Sequence, residues 1–291
     1  MVTSMTGYGK GSAPIGGGKI EVEIRTVNHR FIDFSIRVPR PLNGYEREIE
    51  KAVRRKVRRG HVYVNVNFDK GADSTTSAVN KKLLRQTYKE LTSFAKKEGI
   101  PGDLEIGTLL MLPDMFRPEI DTIPAAQLKA GLKKALAESV DNLADMRNRE
   151  GKTLQLDMQK RLKDIGRVAA KIEKRAPKAL AQTLARAHNR LANLLGRTEV
   201  KEERWAIEAA ALADRTDFSE ELVRLNSHLV EFGATLEKGG EVSKKLTFLL
   251  QEIHREATTM GNKSADPVII RDCLAVKEQV EKIREQVQNL E

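Results

Sequence analysis

The sequence predicts an α+β protein: a small β-rich N-terminal domain of order β-β-β-α-β, followed by a large all-helical C-terminal region with long helices. Three observations carry this expectation. Residues 19–25 and 61–68 alternate polar and apolar side chains, the period of a half-buried strand, and 31–38 is rich in strand-forming residues. From residue 80 onward, apolar positions recur at three and four, the period of an amphipathic helix. Charged residues make up 32% of the chain and aromatics only 4%, a composition of long solvated helices more than of a β-sandwich.

In chain order, a first strand is expected near residues 3–10. Gly16-Gly17-Gly18 then reads as a hairpin turn into Lys19–Arg25. Phe31–Val38 is the third strand, ended by Pro39 and Pro41. Residues 44–58 place Tyr45, Ile49, Ala52, Val53 and Val57 on one helical side, and Gly60 stops that helix before His61–Phe68. Asn80 is a predicted N-cap for a helix to about Lys97, broken by Pro101-Gly102-Asp103. A proline-rich connection covers 112–124. A long helix follows over 125–175, kinked or ended by Pro177. Further helices are expected at 178–196, 200–213, 217–236, 242–261 and 266–290, with Gly239-Gly240 as a stop. This gives a basic α+β domain over 1–70, a linker over 71–79, a helical connector over 80–124 and a long-helix domain over 125–291.

The chain carries 51 Lys and Arg against 41 Asp and Glu. Residues 1–70 alone hold 14 basic and 7 acidic residues, so most of the excess sits there. A basic domain of this kind points to a polyanion, nucleic acid above all. The single cysteine, Cys273, allows no intrachain disulfide. No apolar run reaches signal-peptide or membrane-span length, so a cytoplasmic protein is expected.

The glycine-rich GSAPIGGGK lacks the spacing of a phosphate-binding loop, and a strand pattern follows it where a helix should begin. Arg25, Asn28 and Arg30, with His29 between them, and the cluster around Arg55, Arg58 and Arg59 combine phosphate-binding cations with side chains suited to sugar and base contacts. In DFSEELVRLNSH (217–228), Asp217 as N-cap would make Glu220 the other half of a capping box. Asp217, Glu221, Arg224 and His228 share one helical face. In LTFLLQEIHREATTMGNKS (246–264), Glu252 and Glu256 are one turn apart on one face. His254 is about 200° from Glu252 and points away. Glu221, His228, Glu252 and Glu256 on two facing helices would suit Mn²⁺, Mg²⁺ or Zn²⁺.

SMTGYG (4–9), EIRTVNHRFIDFSIRVPR (23–40), RRGHVYVNV (58–66), the two helical segments above and EKIREQVQNLE (281–291), taken together and in order, resemble the YicC/YloC family of bacterial endoribonucleases. The resemblance implies a divalent cation, Mn²⁺ or Mg²⁺ foremost, RNA as substrate and a hexameric ring. The matching positions are Arg25, Asn28 and Arg30; Glu220, Glu221, Arg224 and His228; and Gln251, Glu252, Arg255, Glu256 and Lys263. The family often has Asn where this chain has His254.

The expected activity is hydrolysis of internal RNA phosphodiester bonds. Glu221, His228, Glu252 and Glu256 would hold the metal or act as general base, with Arg224, Arg255 and Lys263 opposing phosphate charge. A metal-free route through the RNA 2′-OH is the enzymatic rival. An adaptor that binds RNA without cutting it is the rival of another class. The 125–175 stretch and the apolar seam Val276, Val280, Ile283, Val287 and Leu290 are expected to leave surface for a homo-oligomer.

Overall fold

β1 (Gly7–Ile15) and β2 (Gly18–Val27) form the antiparallel hairpin signalled by the glycine run: Ile15 pairs with Gly18, and Gly16 has φ of 50°. The structure is a computed structural model that describes residues 2–16, 18–29, 31–69, 78–101, 104–113, 115–117, 123–195, 202–240 and 242–291. β3 (Ile32–Arg37) is followed by a 3-10 turn (Arg40–Leu42), α1 (Glu46–Arg54) and β4 (Gly60–Asp69). The sheet order is β1-β2-β4-β3, with β3 and β4 parallel and the other pairs antiparallel. A parallel pair requires a crossover, and α1 supplies it. The expected β-β-β-α-β order is therefore observed.

Contacts divide the chain into two compact units, residues 7–146 and residues 1–6 with 147–291. In the first unit, Ile20, Val22 and Ile24 of β2 and Val62, Val64 and Val66 of β4 bury one sheet face. They join Ile49 and Val53 of α1 and Leu128, Leu132, Val140 and Leu143 of α4 (Ala125–Leu195) in a single core. β1 contributes glycines to this face for a steric reason. A Cβ on Gly9 would lie 2.1 Å from the Ser139 carbonyl oxygen, and one on Gly11 would lie 2.1 Å from that of Ala135. The strand starts at Gly7 rather than residue 3, and it runs on through Pro14, which an edge strand tolerates.

Ala78–Val79 forms β5, Lys81–Glu98 forms α2, Ile106–Leu110 forms α3 and Phe116–Arg117 forms β6, which pairs with β5. Asn80 is the expected cap, its Oδ1 accepting from the Leu83 N–H at 3.1 Å. The short α3 and the β5–β6 pair lie outside the elements expected from sequence. The expected linker falls largely on residues 70–77, outside the described residues.

α4 does not end at 175. It continues through Pro177 to Leu195. Proline forfeits one intrahelical hydrogen bond, but Ile172 before it and Ala179 after it are both buried in the core, so packing carries the helix across the gap. The second unit adds α5 (Glu202–Thr216), α6 (Ser219–Lys238), α7 (Ser243–Lys263) and α8 (Pro267–Val287). The seam of α8 and the residues after it is not left for another chain. Val276, Val280, Ile283, Val287 and Leu290 are buried against Leu249, Ile253 and Met260 of α7 and Ile165 and Ile172 of α4. Asp266 caps α8, accepting from the Val268 and Ile269 N–H groups, and also takes Arg175 Nη2 at 3.0 Å. No described helix is long and apolar enough to cross a membrane.

Candidate functional site

α6 and α7 form a helical hairpin turned at Gly239 and Gly240, whose φ angles of 66° and 81° favour glycine. Leu222, Leu225, Phe232 and Leu236 of α6 meet Leu246, Leu250, Ile253 and Ala257 of α7 in the core. Ion pairs Glu221–Lys263 at 2.7 Å and Glu231–Lys245 at 2.8 Å fix the antiparallel register. The Lys245 ammonium beside it holds the Glu231 carboxyl below the usual carboxylate range.

That register brings His228 opposite Glu252 and Glu256. One nitrogen of His228 and one oxygen from each carboxylate all lie within 4.8 Å of one another. Glu256 is buried, while His228 and Glu252 are half-buried. Nδ1 of His228 is buried and has no hydrogen-bond partner among the described residues. An imidazole nitrogen converging with two carboxylates, on a ring with one buried nitrogen unsatisfied, fits a borderline or hard divalent cation, which takes such a mixed donor set. Helix-borne Glu and His side chains converging in a bundle are an established way to hold metals.

Arg255 spans the two carboxylates, with Nη1 3.2 Å from Glu252 and Nη2 3.3 Å from Glu256. Its side chain is 60% exposed, so it covers the group from the solvent side. Glu221 is not brought into the group. One of its oxygens meets Lys263 Nζ at 2.7 Å, and the other is buried without a partner among the described residues. Arg224 is ion-paired with Glu220 one turn earlier on α6. The predicted capping box is also corrected. Phe218 stands at the N-cap, and Asp217 accepts instead from the Ser219 N–H at 2.9 Å and the Ser219 hydroxyl at 3.0 Å, which holds its carboxyl below the ordinary range. His254 stands outside the group, as helical phase predicts, and lies near charged residues of α8. Burial, with Lys277 and Arg284 of α8, holds its pKa below the usual imidazole value.

In the sheet domain, Arg25 projects from the exposed face of β2, and Asn28 follows at the strand end. Arg30 lies outside the described residues. Arg55 and Arg58 are exposed after α1, and Arg59 is half-buried. Arg54 belongs to the same basic cluster of the sequence; sequence reasoning passed over the ring and hydroxyl groups that surround it and its sheet. Arg54 sits 5.0 Å from the centre of the Phe34 ring. His61 lies between Asp33, 3.0 Å from Nδ1, and Ser35, 3.0 Å from Nε2, and its ring is 4.3 Å from that of Tyr63. Strand alternation carries the signal for Asp33, Ser35, His61 and Tyr63, which share the outward face of β3 and β4, whereas Phe34 lies on the core face.

A histidine and two glutamates gathered on a helical hairpin, in a chain with a basic mixed sheet, define an α+β protein with a candidate cation site. The chain belongs to the YicC-like endoribonuclease family. It matches the description "Endoribonuclease YicC-like, N-terminal region" over residues 2–156 and "Endoribonuclease YicC-like, C-terminal" over residues 172–291. It is 31% identical over 293 residues to a protein of Clostridioides difficile (strain 630) named "Probable endoribonuclease YicC", with all of both chains covered. A protein of Haemophilus influenzae with the same name is 28% identical over 292 residues, again with full coverage of both chains.

Proposed function

We propose that this protein is a divalent-cation-dependent endoribonuclease acting in RNA turnover, with its cation held by His228, Glu252 and Glu256. The observation that carries the reading is the convergence of a His228 ring nitrogen with one oxygen each of Glu252 and Glu256, all within 4.8 Å of one another, with Nδ1 of that ring buried and unpartnered among the described residues. Bound there, Mn²⁺ or Mg²⁺ would supply an activated water and charge stabilisation at the phosphate. The chain's own residues do the rest. Arg255, exposed over the carboxylates, meets phosphate oxygen. Glu221 holds the Lys263 ammonium in place, so that Lys263 adds a second cation for the RNA backbone. Arg224 assists only by leaving Glu220. Arg25, Asn28, Arg30, Arg55, Arg58 and Arg59 hold RNA on the sheet domain.

The hexameric ring belongs to this proposal and rests on the resemblance to the family. Val223 and Val230, seven residues apart on one face of α6 and each more than two-thirds exposed, give self-association an apolar contact.

Glu252→Gln should abolish Mn²⁺-dependent cleavage of an internally labelled RNA and leave RNA binding intact; full activity in that variant removes Glu252 from the mechanism. A 5′-phosphate on the product supports activated water, and a 5′-hydroxyl supports the 2′-OH route. The ion pairs of Arg255 with both carboxylates favour one second reading, an adaptor whose glutamates serve only as helix-surface partners. Purified protein that binds RNA yet does not cut it in the presence of any divalent ion would establish that reading.

A further inference from the structure

The outward face of the sheet carries one row of side chains that runs across all four strands. The register pairs Tyr8 with Arg25, Arg25 with Tyr63, and Tyr63 with Ser35. Tyr8 and Tyr63 are 44% and 47% exposed, and Arg25 stands between them. They are two strand spacings apart, about 10 Å. In the next row, Val27 pairs with His61 and His61 with Asp33. Asp33 and Ser35 occupy both ring nitrogens of His61, which holds its ring against Tyr63.

Charge on this face is divided. Lys10 and Lys19 are neutralised by Glu21 and Glu23 at the far end of the hairpin. One row nearer the strand end Arg25 is exposed; Glu23, two residues before it on the same face, is paired with Lys10 and lies beside Tyr8, and Asp33 is bound to His61. Exposed aromatic rings flanking a guanidinium whose neighbouring carboxylates are already partnered are the parts that hold unpaired nucleotides: bases stack on the rings and a phosphate lies on the cation. A duplex keeps its bases stacked inside and can use only the cation.

We infer that this sheet face is a platform for single-stranded RNA, with one base on Tyr8, the next on Tyr63 and the phosphate between them on Arg25. The inference rests on RNA as the substrate, and it adds that the substrate is unpaired where it meets the sheet. It also gives the two exposed tyrosines a role that charge alone does not.

The test is fluorescence anisotropy of full-length protein in EDTA, with a labelled oligouridylate and, separately, a labelled RNA duplex. Tyr8→Ala with Tyr63→Ala should weaken oligouridylate binding roughly 5- to 150-fold per stacked base and leave duplex binding unchanged. Tyr8→Phe with Tyr63→Phe, which keeps both rings, should bind as the parent does. Equal losses for both RNAs, unchanged oligouridylate binding in the alanine variant, or a loss in the phenylalanine variant overturns the platform. Because both positions are exposed, an unchanged melting temperature checks the fold. Cleavage of the oligouridylate by the same proteins is assayed separately in MnCl₂. Cleavage by the parent with no tyrosine effect therefore sinks the platform alone. A tyrosine effect without cleavage sinks the nuclease reading alone.

Discussion

Replacing Glu256 by Gln should raise stability without metal and lower it with metal. The side chain is 2% exposed, and its ion-pair partner is Arg255 at 3.3 Å, itself 60% exposed. An ion pair open to solvent on one side contributes up to about 1 kcal/mol. Burying the carboxylate costs several kcal/mol even after relaxation. Glutamine keeps the shape and removes the charge, although its amide also needs partners. The expected net gain in EDTA is about 1–2 kcal/mol, or roughly 2–6 °C in Tm for a unit of this size. At a free Mn²⁺ concentration 100 times its Kd, the parent gains about 2.7 kcal/mol. If loss of one ligand weakens binding about 100-fold, the variant gains only about 0.4 kcal/mol. The difference of about 2.3 kcal/mol exceeds the variant's advantage, so the order of the two melting curves reverses. Thermal melts of both proteins in EDTA and in MnCl₂ read this directly. A variant that is less stable in EDTA and shifts as far as the parent in Mn²⁺ would refute the reasoning.

Asp266→Ala removes the α8 cap and the partner of Arg175, and should cost about 2–4 kcal/mol by denaturant titration. Burial alone would raise the Asp266 pKa. The Arg175 guanidinium and the Val268 and Ile269 N–H groups outweigh it and hold the carboxyl low. A depressed folded value means that this stabilisation is present above the unfolded pKa near 4 and is lost as pH falls through the folded one. An acid limb in urea stability that Asp266→Ala flattens would confirm the sign. His254 has the same sign in a higher window, since its depressed folded value predicts falling stability below about pH 6.5, absent in His254→Asn. Gly9→Ala would ordinarily favour a strand through the unfolded state. Here the added carbon meets the Ser139 carbonyl at 2.1 Å, so a loss of about 1–3 kcal/mol is expected in a chemical melt.

Local patterns placed most elements, because strand and helix periods are local properties. The alternation at Lys19–Arg25 became β2, and the Asn80 cap and the Gly239-Gly240 stop stand where expected. Pro177 misled because a lost hydrogen bond is a local cost, whereas the burial of Ile172 and Ala179 is a tertiary gain. The α8 seam misled for a related reason: a period reveals an apolar face but not what covers it. In the site, Glu252 and Glu256 were legible as an i, i+4 pair and His254 as facing away. Which α6 side chains meet that pair depends on hairpin register. It selected His228 and gave Glu221 to Lys263 instead. The Tyr8–Arg25–Tyr63 row needs the sheet order β1-β2-β4-β3, which no segment encodes alone.

The proposed activity stands on His228, Glu252 and Glu256 holding the catalytic cation. Anomalous diffraction from crystals soaked in Mn²⁺ tests it most directly. One strong peak is expected within coordination distance of a His228 ring nitrogen and both carboxylates, with Arg255 displaced from them. A peak on other residues, or none at this group while cleavage still requires Mn²⁺, would contradict it.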